Sequence, residues 1–268
     1  MPQVAAARIG GPTGILADEQ VSAFVGEQLD TVDLDGCSLC VLVPDGTRSC
    51  PLPLLVSAVH QAVRGRVTRL TVLVALGTHP GMTEPALGKH LGYPEGGLQQ
   101  RYPGTTVRNH EWWDPATFVD VGTITADRIG ELSGGMLHQR VDVWINRAVA
   151  EHDVTLIVGP VFPHEVVGFS GGNKYLFPGV SGRELIDLSH WLGALITSAE
   201  IIGARGVTPV RALIDEAASM VADQRLALCV VTQSGSAFTQ PEEIAPAAAC
   251  HTQADVPLVD EAAAHLHA

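Results

Sequence analysis

The feature that most constrains the fold of this chain is the alternation of short apolar runs with segments of helical periodicity. Apolar runs occur at residues 39–43, 70–76, 154–158 and 226–231. Between the first two, apolar side chains recur at helical spacing over residues 52–63. The crossover between parallel strands is usually a helix, so this alternation is typical of α/β proteins. The sequence therefore predicts an open, mainly parallel, Rossmann-like sheet with helices on both faces.

The connecting segments carry weaker signals. We expect helices at residues 84–91, 183–203 and 208–222, the first of them ending at the C-cap residue Gly92. Residues 93–138 lack clear periodicity apart from a strand signal at 105–108, and we expect an irregular wall there. Because there is no internal repeat and no low-complexity linker, we treat residues 1–268 as a single α/β cofactor-binding domain.

Charge and hydropathy exclude several classes of partner. The 16 Lys and Arg against 29 Asp and Glu give a formal net charge of −13, and the cations are not clustered. Nucleic acids are held by clustered cations, so no nucleic-acid partner is expected. An uninterrupted apolar stretch of about 18 residues, which a membrane span needs, is missing. The N-terminus also lacks the apolar core of a signal peptide. We therefore expect a cytoplasmic protein without a membrane partner.

The five cysteines predict reduced thiols, since their number is odd and the chain is too long to depend on disulfides. Cys37 and Cys40 have the spacing of a redox or metal pair. They lead into an apolar run, however, and no second pair completes a zinc site. This context favours a buried strand, because a free cysteine behaves as a small hydrophobic residue.

Polar residues that directly follow the apolar runs are the first candidates for a site. Ligands of open α/β sheets bind beyond the carboxyl ends of the strands. Asp45 and Arg48 follow the first run, His79 follows the second, and His164 follows the third. Each alone has an ordinary explanation as a turn, a surface cation or a structural histidine. Their shared position predicts convergence on one cleft.

The glycine-rich segment at residues 168–174 predicts close approach of the backbone to a ligand. It lacks the spacing of a dinucleotide fingerprint or a Walker A loop, which disfavours NAD and ATP. A phosphate or cofactor remains, with Lys174 as its anion partner or covalent attachment point; the alternative is a turn with a solvated lysine.

Histidines are numerous, but no zinc-protease motif is present, because the HExxH pattern fails after both His110 and His164. His190 alone would be assigned to a helix surface or the core. We expect the remaining histidines on the surface: His60, His90, His138, His152, His251, His265 and His267.

Together these segments, over roughly residues 36–232, resemble the N-terminal domain of the nickel-dependent lactate racemase family. The resemblance rests on Asp45-Gly46-Thr47-Arg48, Gly77-Thr78-His79, Pro163-His164, Gly168 to Lys174, Pro178-Gly179 and His190, in this order. It implies two cofactors: nickel, and a nickel-pincer nucleotide of the pyridinium-3,5-dithiocarboxylic acid mononucleotide type, covalently attached to Lys174. By the same resemblance His190 is the protein ligand to nickel, a metal that imidazole suits.

The resemblance also assigns roles in catalysis. His79 and His164 become the acid/base pair, one for each enantiomer of a small 2-hydroxyacid substrate. Asp45 and Arg48 contact the substrate. The remaining cofactor-binding residues are Thr47, Ser170, Gly171 and Gly172. The implied reaction is racemisation or epimerisation by hydride transfer through a planar 2-keto acid, in which imidazoles accept and return the hydroxyl proton.

The resemblance also implies a C-terminal domain that covers the cofactor, and we expect residues 1–268 to lack it. We therefore expect a second domain or another copy of the chain to cover the site, and the chain alone to be inactive without it. Two alternatives stay open at this point. The chain could hold the cofactor or a phosphate ligand without turnover, or it could be a metal-independent acid/base isomerase.

Overall fold

The computed structural model describes residues 7–10, 16–204, 206–221, 224–232 and, for the backbone, 248–251. The strands are β1 (Ser38–Pro44), β2 (Arg69–Ala75), β3 (Thr105–Asn109), β4 (Phe118–Ile124), β5 (Val141–Asn146), β6 (Val154–Pro160), β7 (Pro163–His164), β8 (Gly168–Phe169), β9 (Gln224–Thr232) and β10 (Ala248–His251). The helices are α1 (Asp18–Asp30), α2 (Leu52–Val63), α3 (Glu84–Leu91), α4 (Leu98–Arg101), α5 (Ala126–Leu132), α6 (Arg147–Ala150), α7 (Arg183–Ile196), α8 (Ser198–Ile201) and α9 (Pro209–Ala218). No helix in these described ranges is long and apolar enough to cross a membrane.

The main sheet has the strand order β10-β9-β6-β1-β2-β3. All neighbours pair in parallel except β10, which runs antiparallel to β9. The five parallel strands therefore follow the order of a Rossmann-like sheet, with β1 at the centre. The chain reverses direction across the sheet between β1 and β6, and this switch point opens a crevice at the carboxyl ends of these strands.

Both faces of the sheet are covered, as the sequence predicts. Alternate residues of β1 point to opposite faces. Leu39, Val41 and Val43 pack in one core with α1, α2 and α3. Cys40 and Leu42 pack in a second core with β5, α7 and α9. The predicted open, mainly parallel sheet with helices on both faces is confirmed.

Several elements differ from the sequence expectation. Residues 93–138 are not an irregular wall, because they contain β4 and α5 as well as β3. The β4–β5 ladder shifts register between Asp120 and Gly122, and most of β4 is only half buried, so its alternation is weak. The predicted helix at 183–203 divides at Thr197, whose φ of 84° interrupts it between α7 and α8.

Two of the histidines expected on the surface are buried. His60 lies on the buried face of α2, and its Nε2 is hydrogen-bonded to the Pro103 carbonyl. His152 is fixed between the Ala148 carbonyl and the Thr71 hydroxyl. These hydrogen bonds satisfy the polar ring atoms, so both histidines can be buried. The hydrophobic periodicity of the sequence does not reveal such partners.

The remaining surface expectations have different outcomes. His138 is exposed, as expected, and His90 is half buried against the Pro44 carbonyl. The side chains of His251, His265 and His267 lie outside the described residues. Cys40 is a free, buried cysteine within β1, as the strand assignment requires.

Candidate active site

A cleft of about 250 Å³ lies at the carboxyl ends of β1, β2 and β6. Eight of the residues singled out in the sequence line it: Asp45, Arg48, His79, His164, Ser170, Gly171, Lys174 and His190. Thr47 and Gly172 do not line it. Thr47 is bonded to Asp45, and the Gly172 backbone is hydrogen-bonded to the Cys229 sulfur. The structure thus brings together residues that are up to 145 positions apart in the sequence.

Asp45 is a buried carboxylate held in a tight turn after β1. The Thr47 backbone N–H and hydroxyl both donate to its Oδ1, at 3.0 and 2.5 Å. Its Oδ2 is hydrogen-bonded to Nδ1 of His79. Burial by itself raises the pKa of Asp45, but the hydrogen bonds from Thr47 and His79 outweigh it and leave that pKa below its usual value. Asp45 is therefore ionised at neutral pH.

His79 lies on the loop after β2 and exposes 51% of its side chain. Because the Asp45 carboxylate accepts at Nδ1, the neutral ring carries its proton there and leaves the Nε2 lone pair as an acceptor. The loop is fastened to the end of β3. The indole N–H of Trp112 donates to the His79 carbonyl at 2.9 Å. Asn109 exchanges two hydrogen bonds with the Met82 backbone.

His164 has the opposite polarity. It is 5% exposed in the β7–β8 hairpin, and the Val166 backbone N–H donates to its Nδ1 at 3.1 Å. The neutral ring therefore carries its proton on Nε2. Burial, and then the charges of Lys174 and Arg48, lower the pKa of His164 to about 3. The cleft thus holds one imidazole with an open acceptor and one with an N–H donor.

Arg48 is a cationic side chain of the cleft. Its guanidinium lies 5.3 Å from the centroid of the Phe162 ring, within the range of a cation–π contact. A planar guanidinium can bind a carboxylate through two parallel hydrogen bonds, which a lysine cannot reproduce. Phe162 lines the same cleft. Nothing in the sequence around it indicates a contact with Arg48.

The glycine-rich loop places Lys174 in the cleft. Gly171 has a φ of 90°, and a Cβ there would lie 2.8 Å from a Val161 methyl group. Only glycine fits both conditions. The Ser170 hydroxyl closes the loop by donating to the Pro160 carbonyl at 2.9 Å. Burial, and then the charges of Arg48 and Arg211, lower the pKa of Lys174 to about 8. At pH 7 about a tenth of this amine is therefore unprotonated.

His190, on α7, has its Nδ1 2.7 Å from the Ile186 carbonyl one turn earlier. That bond places the ring proton on Nδ1 and leaves the Nε2 lone pair available to a ligand. This arrangement is usual for a metal-binding histidine. Asn173 is different from its neighbours in the loop, because it is buried away from the cleft. Its amide donates to Asp215 and its carbonyl accepts from Arg225.

The sequence profile of the family described as the lactate racemase N-terminal domain matches residues 23–203. That match covers more than half of the chain and includes helices α2 to α8 and every cleft residue named above. The chain belongs to this family.

Two curated relatives are similar over part of their length. The lactate racemase of Thermoanaerobacterium thermosaccharolyticum is 25% identical over 157 residues, or 57% of this chain and 32% of that protein. The lactate racemase of Lactiplantibacillus plantarum is 27% identical over 157 residues, which again are 57% of this chain and 32% of that protein. The match thus spans about one third of the length of these relatives.

Solved structures share the fold. A crystal structure of a Thermotoga maritima protein superposes with a TM-score of 0.76 at 24% identity, covering 94% of this chain and 59% of that one. The lactate racemase apoprotein of Thermoanaerobacterium thermosaccharolyticum superposes with a TM-score of 0.65 at 17% identity, covering 95% and 58%. At these identities the superpositions show the fold.

The cleft fits a cofactor that brings metal ligands of its own. Within the described residues, no group of three His, Cys, Asp or Glu side chains could hold a metal ion. His190 offers one imidazole, and Lys174 offers an amine that is partly unprotonated. A metal ion bound here would therefore take its remaining ligands from a cofactor or from solvent.

Proposed function

We propose that the chain is the cofactor-binding part of a lactate racemase-like isomerase that interconverts the enantiomers of a small 2-hydroxyacid. The observation that carries the proposal is the pair of oppositely polarised imidazoles, His79 and His164, in one cleft with Arg48. A module that only holds a cofactor needs Lys174 and the glycine-rich loop but gains nothing from two such bases.

Arg48 would bind the substrate carboxylate. Its position against the Phe162 ring restricts the guanidinium to one side of the cleft, so the carboxylate is held in a defined orientation. The hydroxyl group would then lie on the side of the imidazoles that line the same cleft. The arrangement suits a small anion, although the chain as a whole has a net charge of −13.

The hydroxyl proton must leave for the substrate to become a planar 2-keto acid. It must return to the same oxygen when either enantiomer is formed from that acid. His79, oriented by ionised Asp45, is set to accept that proton at Nε2. Asp45 then stabilises the imidazolium that forms. The neutral His164 ring would donate a hydrogen bond from Nε2 to the substrate oxygen. To act as the acid for the opposite enantiomer it must first take up a proton at Nδ1 in place of the bond from Val166, and removal of the positive charge near it favours that uptake.

Two events of the proposed reaction remove that charge. A substrate carboxylate neutralises Arg48, and attachment of the cofactor converts the Lys174 amine into an uncharged group. Both charges lower the pKa of His164 in the empty chain. Binding of cofactor and substrate therefore raises the pKa of His164 toward the range in which it can take part in proton transfer at neutral pH.

The bound nickel-pincer nucleotide would supply a reversible hydride acceptor for the substrate Cα. Lys174 would hold it covalently, His190 would ligate its nickel, and Ser170, Gly171, Gly172 and Thr47 would shape the loops around it. We propose that a second domain or a second copy of the chain covers the cleft, since the match spans about one third of the curated relatives.

The test is co-expression with enzymes that make the cofactor, followed by intact mass, nickel content and a racemase assay. The assay starts from one pure enantiomer carrying deuterium at Cα. We expect a mass adduct, bound nickel, and a racemised product that keeps most of its label. Loss of the label to water would instead indicate direct proton abstraction.

Lys174→Ala is the matched control, because it removes the amine and keeps the backbone hydrogen bond from residue 174 to the Gly171 carbonyl. We expect it to abolish the adduct while leaving the far-ultraviolet circular dichroism unchanged. An adduct of unchanged mass in this variant would overturn the assignment of Lys174. A loaded chain that shows no turnover even when a covering domain is supplied would favour the non-catalytic binding module.

A further inference from the structure

The glycine-rich loop is held from behind by one helix, α9, which lies beyond the residues that the family profile matches. Arg211 of α9 is 4% exposed. Its Nη2 donates to the Phe169 carbonyl at 2.6 Å, and its Nη1 donates to the Gly171 carbonyl at 3.5 Å. One guanidinium thus holds two carbonyls on either side of Ser170.

A third hydrogen bond holds the same loop one helical turn further along α9. Asp215 accepts from the Asn173 amide at 2.9 Å. Arg211 and Asp215 are four residues apart and so lie on one face of the helix. The residue after Asn173 is Lys174, whose own backbone N–H donates to the Gly171 carbonyl that Arg211 holds. The helix is therefore linked to the lysine through a short, hydrogen-bonded path.

The loop does not fold this way by local preference alone. Gly171 and Gly172 have φ values of 90° and 54°, and glycine has the greatest conformational freedom of any residue. A flexible segment needs external bonds to keep one conformation. The buried guanidinium is the cation that supplies two of them, and charged donors form stronger hydrogen bonds than neutral ones.

We propose that Arg211 is a positioning residue for Lys174: by holding the carbonyls of Phe169 and Gly171, it fixes the loop that keeps the lysine amine inside the cleft. The inference rests on the proposed function only in naming Lys174 as the site of cofactor attachment. Four charged side chains act on this amine: Arg48 and Arg211 disfavour its protonation, and Glu165 and Asp45 favour it.

The chain offers an internal reference for the test, because it contains two lysines, Lys89 and Lys174. Lys89 lies exposed on α3. A trace of acetic anhydride is applied to the cofactor-free chain across a range of pH, and peptide mass spectrometry measures the acetylation of each lysine. The midpoint of the Lys174 profile is the readout, and we expect it near pH 8 in the unaltered chain.

Arg211→Met removes both the charge and the two bonds, whereas Arg211→Lys keeps the charge and loses the planar fork. We expect both to raise the Lys174 midpoint by about one pH unit, which lowers its acetylation below the midpoint about tenfold relative to Lys89. Arg211→Lys decides the question by itself if Arg211→Met does not fold. The lysine it introduces lies in a separate peptide.

Arg128→Met is the matched control, because Arg128 also contacts α9, through Glu216 at 2.8 Å, but on the protein surface. It should leave the midpoint unchanged. A wild-type midpoint in Arg211→Lys would mean that charge alone matters and would overturn the proposal. Lower resistance to urea with an unchanged Lys174 profile in both Arg211 variants would assign Arg211 a structural role only. Since no cofactor is used, these outcomes do not depend on whether the proposed isomerase activity exists.

Discussion

At the scale of single residues, the cleft depends on which polar atoms are already bonded before a ligand enters. Asp45 occupies Nδ1 of His79, and the Val166 backbone occupies Nδ1 of His164. The first partner is an acceptor and the second a donor, so the two rings receive opposite tautomers. The sequence could predict that both histidines follow strand ends. It could not predict their tautomers, because these depend on the folded positions of their partners.

Replacing Asp45 by Asn tests the orientation of His79. The amide would donate to Nδ1, which moves the ring proton to Nε2 and removes the acceptor that the hydroxyl proton needs. We expect the turnover of the loaded enzyme to fall by about 10²- to 10⁴-fold, the usual effect of losing a general base. Asp120→Asn is the control, because Asp120 also accepts from the backbone N–H two residues later, that of Gly122, at the register shift of β4 outside the cleft. Equal turnover in both variants would contradict the role of Asp45.

Replacing Lys174 by Met tests the electrostatic link to His164. After burial, the Lys174 charge is the largest cause of the lowered pKa of His164, about 3 in the folded chain. Removing it should raise that pKa by about one unit, as expected for loss of a neighbouring like charge. Ring nitrogen NMR shifts measured against pH would show this, with Lys89→Met as the control. An unchanged His164 titration in Lys174→Met would exclude the coupling.

At the scale of elements, the loop that carries His79 depends on the end of β3. Asn109 donates to the Met82 carbonyl and accepts from the Met82 N–H, at 2.9 and 3.1 Å. Asn109→Ala removes both bonds, and at about 1 kcal/mol each the amides of residues 77–83 should exchange with solvent roughly 30-fold faster. Arg108→Ala, at the exposed neighbouring position, should leave this exchange unchanged. Equal exchange rates in the two variants would show that Asn109 does not hold the loop.

The central elements could be predicted because their apolar runs are long and fully buried. β1 and β6 are buried at all seven positions, and the predicted end of α3 at Gly92 is confirmed by its left-handed conformation. α1 could have been found, since its buried residues Val21, Phe24, Val25 and Leu29 have helical spacing. The hydrogen bonds from α9 to the glycine-rich loop could not have been predicted, because Arg211 makes contacts that only the tertiary fold creates.

At the scale of the whole molecule, the sheet order explains why residues distant in the sequence share one cleft. Parallel strands direct all their carboxyl ends to one edge, and the switch point between β1 and β6 leaves room there for a ligand. The same two-sided burial that builds the sheet also encloses several histidines. His110 is fully buried beside Asn146, whose amide donates to its Nδ1 at 3.0 Å.

These buried histidines predict that the fold loses stability in mild acid. Burial lowers the pKa of His110 to about 4, and burial with nearby cations lowers that of His164 to about 3, whereas an unfolded histidine titrates near 6.5. The unfolded chain therefore binds more protons than the folded chain below that pH. The free energy of unfolding should fall by about 1.4 kcal/mol per pH unit for each such histidine, until the pH reaches its folded pKa.

Urea unfolding at pH 7 and pH 5 measures this loss, and two substitutions assign it. His110→Gln removes one titrating group, so the loss of unfolding free energy between the two pH values should shrink by about 2 kcal/mol relative to the unaltered chain. His138→Gln changes an exposed histidine paired with Asp127 and should preserve most of the original pH dependence. Because each variant is compared with itself at two pH values, any loss of packing at pH 7 cancels. Identical pH dependence in His110→Gln and the unaltered chain would show that burial of this ring does not cause the loss of stability between pH 7 and pH 5.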